Sequence, residues 1–233
     1  MISIIIPAHN EAKYISQTLN IIKRIIYPEN SFEVIIVENG SDDETYKIAS
    51  KFSGNNIKVF HLESKGVSKA KNFGLNNISK KSEWTIFLDA DTVVGPNFLT
   101  ELDLFLSKNK DKNFAIGTTE IMPLENKSWY AMMWMKFYNI GHKYTKTSFA
   151  IQIMKSSLRD KVKFDEKLSL AEDLQFIKDC LKFGNFFFLN TKNVFTSTRR
   201  FEKIGWINLF IKWNYDALMW RLRKISSDYL VIR

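Results

Sequence analysis

Two carboxylates, Asp89 and Asp91, stand two residues apart straight after an apolar run in TIFLDADTVVGPN, Thr85 to Asn97. Alternate residues of a strand or its extension point to the same side. Two carboxylates held together repel each other unless a cation sits between them. Hard divalent cations such as Mg2+ and Mn2+ take oxygen ligands and share them with substrate phosphates. The pair therefore reads as a metal–diphosphate site. As a bare tripeptide it equally suits a solvated turn with Asp91 capping the next helix.

Four other stretches carry complementary groups. In VENGSDD, Glu38 and Asn39 close a buried run and could accept from the N–H edge of a base, although an ordinary strand–turn–helix junction uses the same residues. In KGVSKAKNFGL, Lys69 and Lys71 stand near a helix start, where basic side chains and the positive helix end suit a diphosphate; a solvated basic face is the alternative. In LAEDLQF, Glu172 and Asp173 open a helix. The macrodipole alone favours acids there, and the chemical alternative is a general base within reach of a hydroxyl. In STRRF, paired Arg199 and Arg200 suit phosphate recognition or a plain basic patch.

The elements that must position these groups alternate. ISIIIPA reads as a strand buried on both faces, and EAKYISQTLNIIKRII as a helix with Ile15, Leu19, Ile22 and Ile26 on one stripe. FEVIIVENG is a second strand, with Ser41 or Asp42 capping a helix through about Phe52. NIKVFHLE and EWTIFLDAD are further strands around the helix GVSKAKNFGLNNI, and Pro96 suits a first helical position. This alternation predicts an α/β domain with a mostly parallel central sheet and helices on both faces. Ligands of such sheets bind beyond the carboxyl ends of the strands, where PAHNE, ENGSDD and DAD fall. Beyond residue 112, FAIGTTEIM and TSFAIQIMKSSLR read as strands, KSWYAMMWMKFYNIGHKY as helical, and LAEDLQFIKDCLKFG as a helix with Gly184 at its end. NFFFLNT and NVFTSTRRF read as extended.

Composition narrows the function. The 233 residues suit one domain, or a domain with a tail. The single Cys180 excludes an internal disulfide and a Cys metal cluster and favours a reducing compartment. His9, His61 and His142 lack zinc-ligand spacing. G-x-G-x-x-G, P-loop and G-x-S-x-G signatures are absent. The net charge is +9, and from Arg199 onward eight Lys/Arg face three Asp/Glu. Such a surplus suits anionic lipid, a phosphorylated substrate or nucleic acid, but no nucleic-acid motif accompanies it. There is no run of about 18 uncharged apolar residues, and the opening lacks a basic leader and cleavage site. The expected location is cytoplasmic, peripheral to the cytoplasmic membrane face. The tail GWINLFIKWNYDALMWRLRK reads as a basic amphipathic helix with Trp206, Leu209, Phe210, Trp213, Ala217 and Trp220 on one face and Lys212, Asp216 and Arg223 opposite. That suits an interfacial helix touching a membrane through residues 203–224, or a helix packed on the core or a second subunit.

The motifs SIIIPAHNEAKYISQTL, VIIVENGSDDET, GVSKAKNFGL, IFLDADT, FDEKLSLAEDLQF and STRRF follow one another in an order that resembles family 2 glycosyltransferases of the GT-A fold. The resemblance covers roughly residues 2–201. It implies a glycosyltransferase domain over 1–201, with a nucleotide-sugar half (1–111) and an acceptor half (112–201), followed by the helical tail 202–233. It further implies nucleotide contacts at Pro7, Ala8, Asn10, Glu11, Glu38, Lys71 and Asp89, and a Mn2+ or Mg2+ ion on Asp91 and Asp89. Asp173 is then the base of an inverting transfer, with Glu172, Arg199 and Arg200 toward the acceptor or diphosphate. The implied partners are a nucleotide-sugar donor and a glycan or lipid-linked acceptor. Glu38-Asn39 replaces the family's frequent Asp-Asp, leaving uracil and guanine both open. The Gln/Arg-x-x-Arg-Trp pattern of processive members is missing at Arg199–Arg200. A sugar-phosphate nucleotidyltransferase would show a Gly-rich basic N-terminal loop, which PAHNEAKY is not. A non-catalytic nucleotide-sugar binder would have no need of all three of Asp89, Asp91 and Asp173.

Overall fold

The computed structural model describes residues 1–168 and 171–221; Arg223 of the tail reading lies outside them, as do the side chains of Ala217 and Trp220. The chain opens with β1 (Ile2–Ala8), α1 (Ile15–Ile22), β2 (Phe32–Asn39), α2 (Thr45–Ser50), β3 (Ile57–Leu62), α3 (Val67–Asn76) and β4 (Trp84–Leu88). Next come β5 (Thr92–Val94), α4 (Phe98–Lys108), β6 (Phe114–Thr119), β7 (Met122–Pro123), α5 (Trp129–Thr145) and β8 (Ile151–Lys155). After them follow α6 (Glu172–Cys180), β9 (Asn185–Leu189), β10 (Val194–Thr196), α7 (Arg199–Ile204) and α8 (Trp206–Arg221).

Seven strands form one sheet in the order β3-β2-β1-β4-β8-β6-β9. The first four are parallel. Strand β8 runs against both β4 and β6, and β9 is parallel to β6. The β-branched runs of β1 and β2 are buried throughout because helices cover both faces. Ile4, Ile6, Val34 and Ile36 meet Ile15, Leu19 and Leu102 of α1 and α4 on one side. Ile5, Ile35 and Val37 meet Ala70, Leu75 and Phe176 of α3 and α6 on the other. Each such aliphatic side chain contributes on the order of 1.5–3 kcal/mol by leaving water. Helix α3 lies so close to β1 that a Cβ on Gly74 would fall 2.5 Å from Ile5 Cγ2.

Several boundaries differ from the sequence reading. Helix α1 ends at Ile22, because the chain then turns to bond Ile26 N–H to the Pro96 carbonyl at 2.8 Å. Helix α2 begins at Thr45, beyond reach of the expected caps: Ser41 Oγ accepts from Asn10 N–H at 2.9 Å and Asp42 Oδ2 from Lys65 Nζ at 3.3 Å, while Asp43 accepts from Thr45 N–H at 2.9 Å. Pro96 precedes α4, which starts at Phe98, and α6 ends at Cys180, four residues before Gly184. STRRF is not extended: β10 stops at Thr196 and α7 starts at Arg199, after the Glu125 carboxylate takes Thr198 N–H at 2.8 Å.

Helices α5, α7 and α8 build an aromatic annex beside the sheet. Phe201 stacks on Trp206 with ring centroids 4.5 Å apart, and Tyr138 lies 5.5 Å from Trp213. Trp206 and Leu209 are buried, and Phe210 and Trp213 pack partly buried against the same cluster. The described part of the tail face expected to meet a membrane, Trp206, Leu209, Phe210 and Trp213, is therefore turned inward, onto α5 and α7. Among the described residues no helix is long and apolar enough to cross a membrane.

Candidate active site

The loops after β1 and β2 are laced together at the carboxyl ends of the parallel strands. Asn10, in the left-handed region at φ 54°, accepts from Asp42 N–H at 2.8 Å through Oδ1. Glu11 N–H donates to Thr45 Oγ1 at 2.7 Å, and Ala12 N–H to Asp43 at 3.2 Å. The Asn39 amide, oriented to satisfy both its ends, donates to the Ala8 carbonyl at 2.8 Å and accepts from Gly66 N–H at 3.1 Å. One side chain thus ties the ends of β1 and β2 to the start of α3. Glu38 is buried and already engaged, by Ser41 N–H at 2.6 Å and by His61 Nδ1. Pro7 and Ala8 end the buried β1.

The turn between β4 and β5 carries Asp89 and Asp91, and it is held from two sides. Thr18 Oγ1 of α1 donates to the Ala90 carbonyl at 2.6 Å, and Asp89 N–H to the Ala150 carbonyl at 2.9 Å. Strand β5 pairs antiparallel with β10 in the register Thr92↔Thr196, and Ser197 N–H donates to the Asp91 carbonyl at 3.2 Å. That small pairing carries Arg199 to Asp91 across more than a hundred residues. Arg199 Nη2 lies 2.9 and 3.0 Å from the two Glu11 carboxylate oxygens and 3.0 Å from Asp91 Oδ2. Its guanidinium sits 4.1 Å from the centre of the Tyr14 ring, an arrangement worth more when desolvated. Arg200 adds its charge toward both Asp89 and Asp91.

A second corner lies on the α3–α6 side. Lys71 Nζ is 2.7 Å from Asp173 Oδ1 and 4.8 Å from the centre of the Phe164 ring. The Lys71 side chain is 5% exposed and that of Asp173 27%. Asn72, beside it on α3, pins the approach to α6 by exchanging bonds of 2.9 Å with both Phe164 backbone groups. Lys71, Asp89, Gln152 and Asp173 line one narrow recess. The two aspartates expected to share one side thus divide their contacts, Asp89 toward Lys71 and Asp173, Asp91 toward Arg199 and Glu11.

The electrostatics follow from this packing. Burial pushes Asp89 up to about 6; Lys71 opposes the shift, while Asp91 and Asp173 add to it. Burial also raises Asp91, against the pull of Arg199. Burial, then the neighbouring Asp173, pushes Glu172 up to about 7. Burial disfavours the charge on Lys71, yet Asp173, Glu172 and Asp89 outweigh it and hold the ammonium protonated. A half-buried pair of oxygen donors whose ionised form is costly is a good seat for a hard cation. Among the described residues no group of three or more Asp, Glu, His or Cys side chains could hold a metal, so a divalent ion on Asp89 and Asp91 would complete its shell from water and substrate oxygens. The residues fit Mg2+ or Mn2+ on those terms.

Three features escape a reading of residue types. Lys71 reads as a diphosphate ligand and is instead buried against Asp173. Tyr14 provides the ring under Arg199. Gln152, the one polar residue in AIQIM, is 3% exposed, and neither end of its amide has a partner among the described residues. Its only local signal is that interruption of an apolar run.

A family model described as Glycosyl transferase family 2 matches residues 3–166. The minor teichoic acid biosynthesis protein GgaA of Bacillus subtilis is 28% identical over 195 residues, covering 78% of this chain and 43% of that protein. The poly(ribitol-phosphate) beta-N-acetylglucosaminyltransferase TarS of Staphylococcus aureus is 32% identical over 110 residues, covering 46% of this chain and 19% of that protein. The chain thus spans less than half the length of these two relatives. Among solved structures, S. aureus TarS 1-349 in complex with UDP-GlcNAc matches with a TM-score of 0.68 at 24% identity, over 84% of this chain and 58% of that one. A mannosyltransferase from Pyrobaculum calidifontis in complex with GDP-Man and Mn2+ also reaches 0.68, at 16% identity, over 97% and 65%. At these identities the likeness establishes the fold, which is GT-A.

Proposed function

The chain belongs to glycosyl transferase family 2, and on that premise we propose that it moves a sugar from a nucleoside-diphosphate sugar to an acceptor hydroxyl with inversion. One observation carries the reading: Asp89, Asp91 and Asp173, from a strand-end turn and a helix start far apart in sequence, converge with the buried Lys71 and the half-buried Arg199. The donor lies across the ends of β1, β2 and β4, over the laced loops of Asn10, Glu11 and Glu38. Asp91, with Asp89, would hold the Mg2+ or Mn2+. When bound, that ion supplies charge neutralisation for the departing diphosphate. Arg199 and Arg200 stand beside these carboxylates as further positive charge for the leaving group.

Asp173 is the base. Lys71 takes Oδ1 and orients the carboxylate, leaving Oδ2 without a hydrogen bond among the described residues. That oxygen removes the proton from the acceptor hydroxyl, which attacks the anomeric carbon on the face opposite the diphosphate. A single displacement inverts the centre. Residues 1–201 form the transferase domain in this reading, with donor contacts in 1–111 and acceptor contacts in 112–201; of the tail that follows from 202, the part beyond Arg221 lies outside the described residues. The acceptor is a glycan, in one form carried on a lipid, and the location is cytoplasmic. The relatives named for teichoic acid and poly(ribitol-phosphate) support an envelope polymer as the acceptor class.

The test is a panel of nucleotide sugars assayed with Mn2+ for thermal stabilisation and for release of nucleoside diphosphate. Asp173→Asn is expected to keep donor binding and lose turnover by about 100- to 10,000-fold. Full turnover in that variant sinks the assignment of the base. Asp91→Ala is expected to remove the metal-dependent part of donor binding.

A further inference from the structure

Of the fifteen large hydrophobic side chains exposed among the described residues, ten stand on just two helices, α5 and α8. The helices touch, with Phe137 and Phe210 ring centroids 5.3 Å apart. On α5 the exposed row Trp129, Met133, Phe137, Ile140 and Tyr144 lies half a turn from the buried row Ala131, Met135 and Tyr138. On α8, Ile207, Ile211, Tyr215 and Leu218 are more than half exposed, roughly half a turn from the inward-turned Trp206 and Leu209. Scattered exposed apolar residues need no explanation, but a joined set does.

The charge beside this set is predominantly basic. No Asp or Glu occurs from Asn126 to Arg159, while Lys127, Lys136, Lys143 and Lys146 flank or lie on α5. The acid of α8, Asp216, already pairs with Lys212 at 3.4 Å. Trp129 and Tyr144, 77% and 79% exposed, mark the two ends of the α5 row. A symmetric contact between two copies would set these lysines against one another without compensating acids. An anionic headgroup layer supplies the missing charge, takes the apolar row to the acyl boundary and accepts Trp and Tyr at its polar edge.

We infer that the joint outer surface of α5 and α8 docks on an anionic lipid bilayer, with both helices lying in the headgroup layer. The six-residue α7 connects this surface to the site, for it begins at Arg199, against Asp91, and packs Phe201 on Trp206. Docking would bring the strand-end corner beside the headgroups, where a lipid-borne acceptor is presented. This deepens the transferase reading only in that last respect; the docking is measured without turnover.

Sedimentation of the whole chain with phosphatidylglycerol vesicles and, separately, phosphatidylcholine vesicles tests it. Partition onto phosphatidylglycerol is expected to be at least about tenfold stronger and to weaken as salt rises. Replacing Lys136 and Lys143 by Ser should weaken it roughly fivefold for each lysine. Ile140→Ser with Ile211→Ser should weaken it by more than about tenfold, with an unchanged melting curve confirming the fold. Equal partition onto both vesicle types, or indifference to the substitutions, overturns the inference. So does light scattering that shows a dimer dispersed by Ile140→Ser with Ile211→Ser and no vesicle binding, which would give the surface to a second copy. Donor binding, measured in parallel, keeps a failure here separate from a failure of the transferase reading.

Discussion

The strand-end corner and the aromatic annex handle their awkward groups in opposite ways. The corner buries charges and neutralises them pairwise, Lys71 with Asp173 and Arg199 with Glu11 and Asp91. The annex packs rings on rings and keeps its buried histidine neutral. Burial drives His142 of α5 down to about 4, and its Nδ1 meets Thr147 Oγ1 at 2.7 Å. Removing one member of a buried ion pair leaves an uncompensated charge, whereas removing an exposed ring removes little that folding had gained. Stability in the corner rests on partners, and in the annex on depth. The corner also differs within itself: Lys71 is nearly sealed at 5% exposure, while Arg199 at 21% remains within reach of solvent and of competing ions.

Substitutions can break this contrast in order of size. Lys71→Met should cost about 3–5 kcal/mol by orphaning Asp173 and Asp89, and should abolish turnover; denaturant titration and the transfer assay report the two effects. A loss below about 1 kcal/mol would mean that the pair is not buried in solution. Acid should expose the annex's neutral histidine. The free imidazole takes its proton near pH 6.5, but the folded one waits until about 4. Between those values the unfolded chain binds more protons, so stability falls as pH falls. Relative to His142→Gln, the wild type should lose up to about 3 kcal/mol over that window, read from unfolding midpoints at several pH values.

Smaller effects sharpen the contrast inside the corner. Arg199→Met frees Asp91 of its guanidinium and should tighten Mn2+ binding in the absence of nucleotide by roughly fivefold, equivalent to about 1 kcal/mol of a half-shielded ion pair. The same change should weaken binding of the nucleoside diphosphate. Calorimetry on the two ligands separates these signs. At the small end, Ile211→Ser on the exposed row of α8 should leave the unfolding midpoint within about 0.5 kcal/mol of wild type. A larger loss would mean that this face is covered in solution.

The order of elements through β4 is legible because β1, β2 and β4 are mainly apolar runs whose burial on both faces demands a helix-covered parallel sheet. Asp89, Asp91 and Asp173 are legible as residue types at strand and helix ends. Their partners are not: Lys71 meets Asp173 across 102 positions, and nothing local in KGVSKAKNFGL records it. Arg199 reads as extended because NVFTSTRRF contains no Gly or Pro to mark the end of β10. In the tail, helical periodicity identifies the residues sharing a face but not what that face meets. The Trp206–Trp213 face finds α5, and the exposed set lies on the opposite side of the helix.

Strand β8, reversed between β4 and β6, also governs the order in which the polypeptide can be completed. Residues 2–88 suffice to pair β3, β2, β1 and β4 through short crossovers. The outer border of β4 then waits for Ile151–Lys155, while α4, β6 and α5 leave the ribosome. Until that strand arrives, a row of unpaired backbone donors and acceptors stands open to any neighbouring chain. The reversed strand is thus the molecule's own shield against aggregation during synthesis, and a product released before it would carry an adhesive margin.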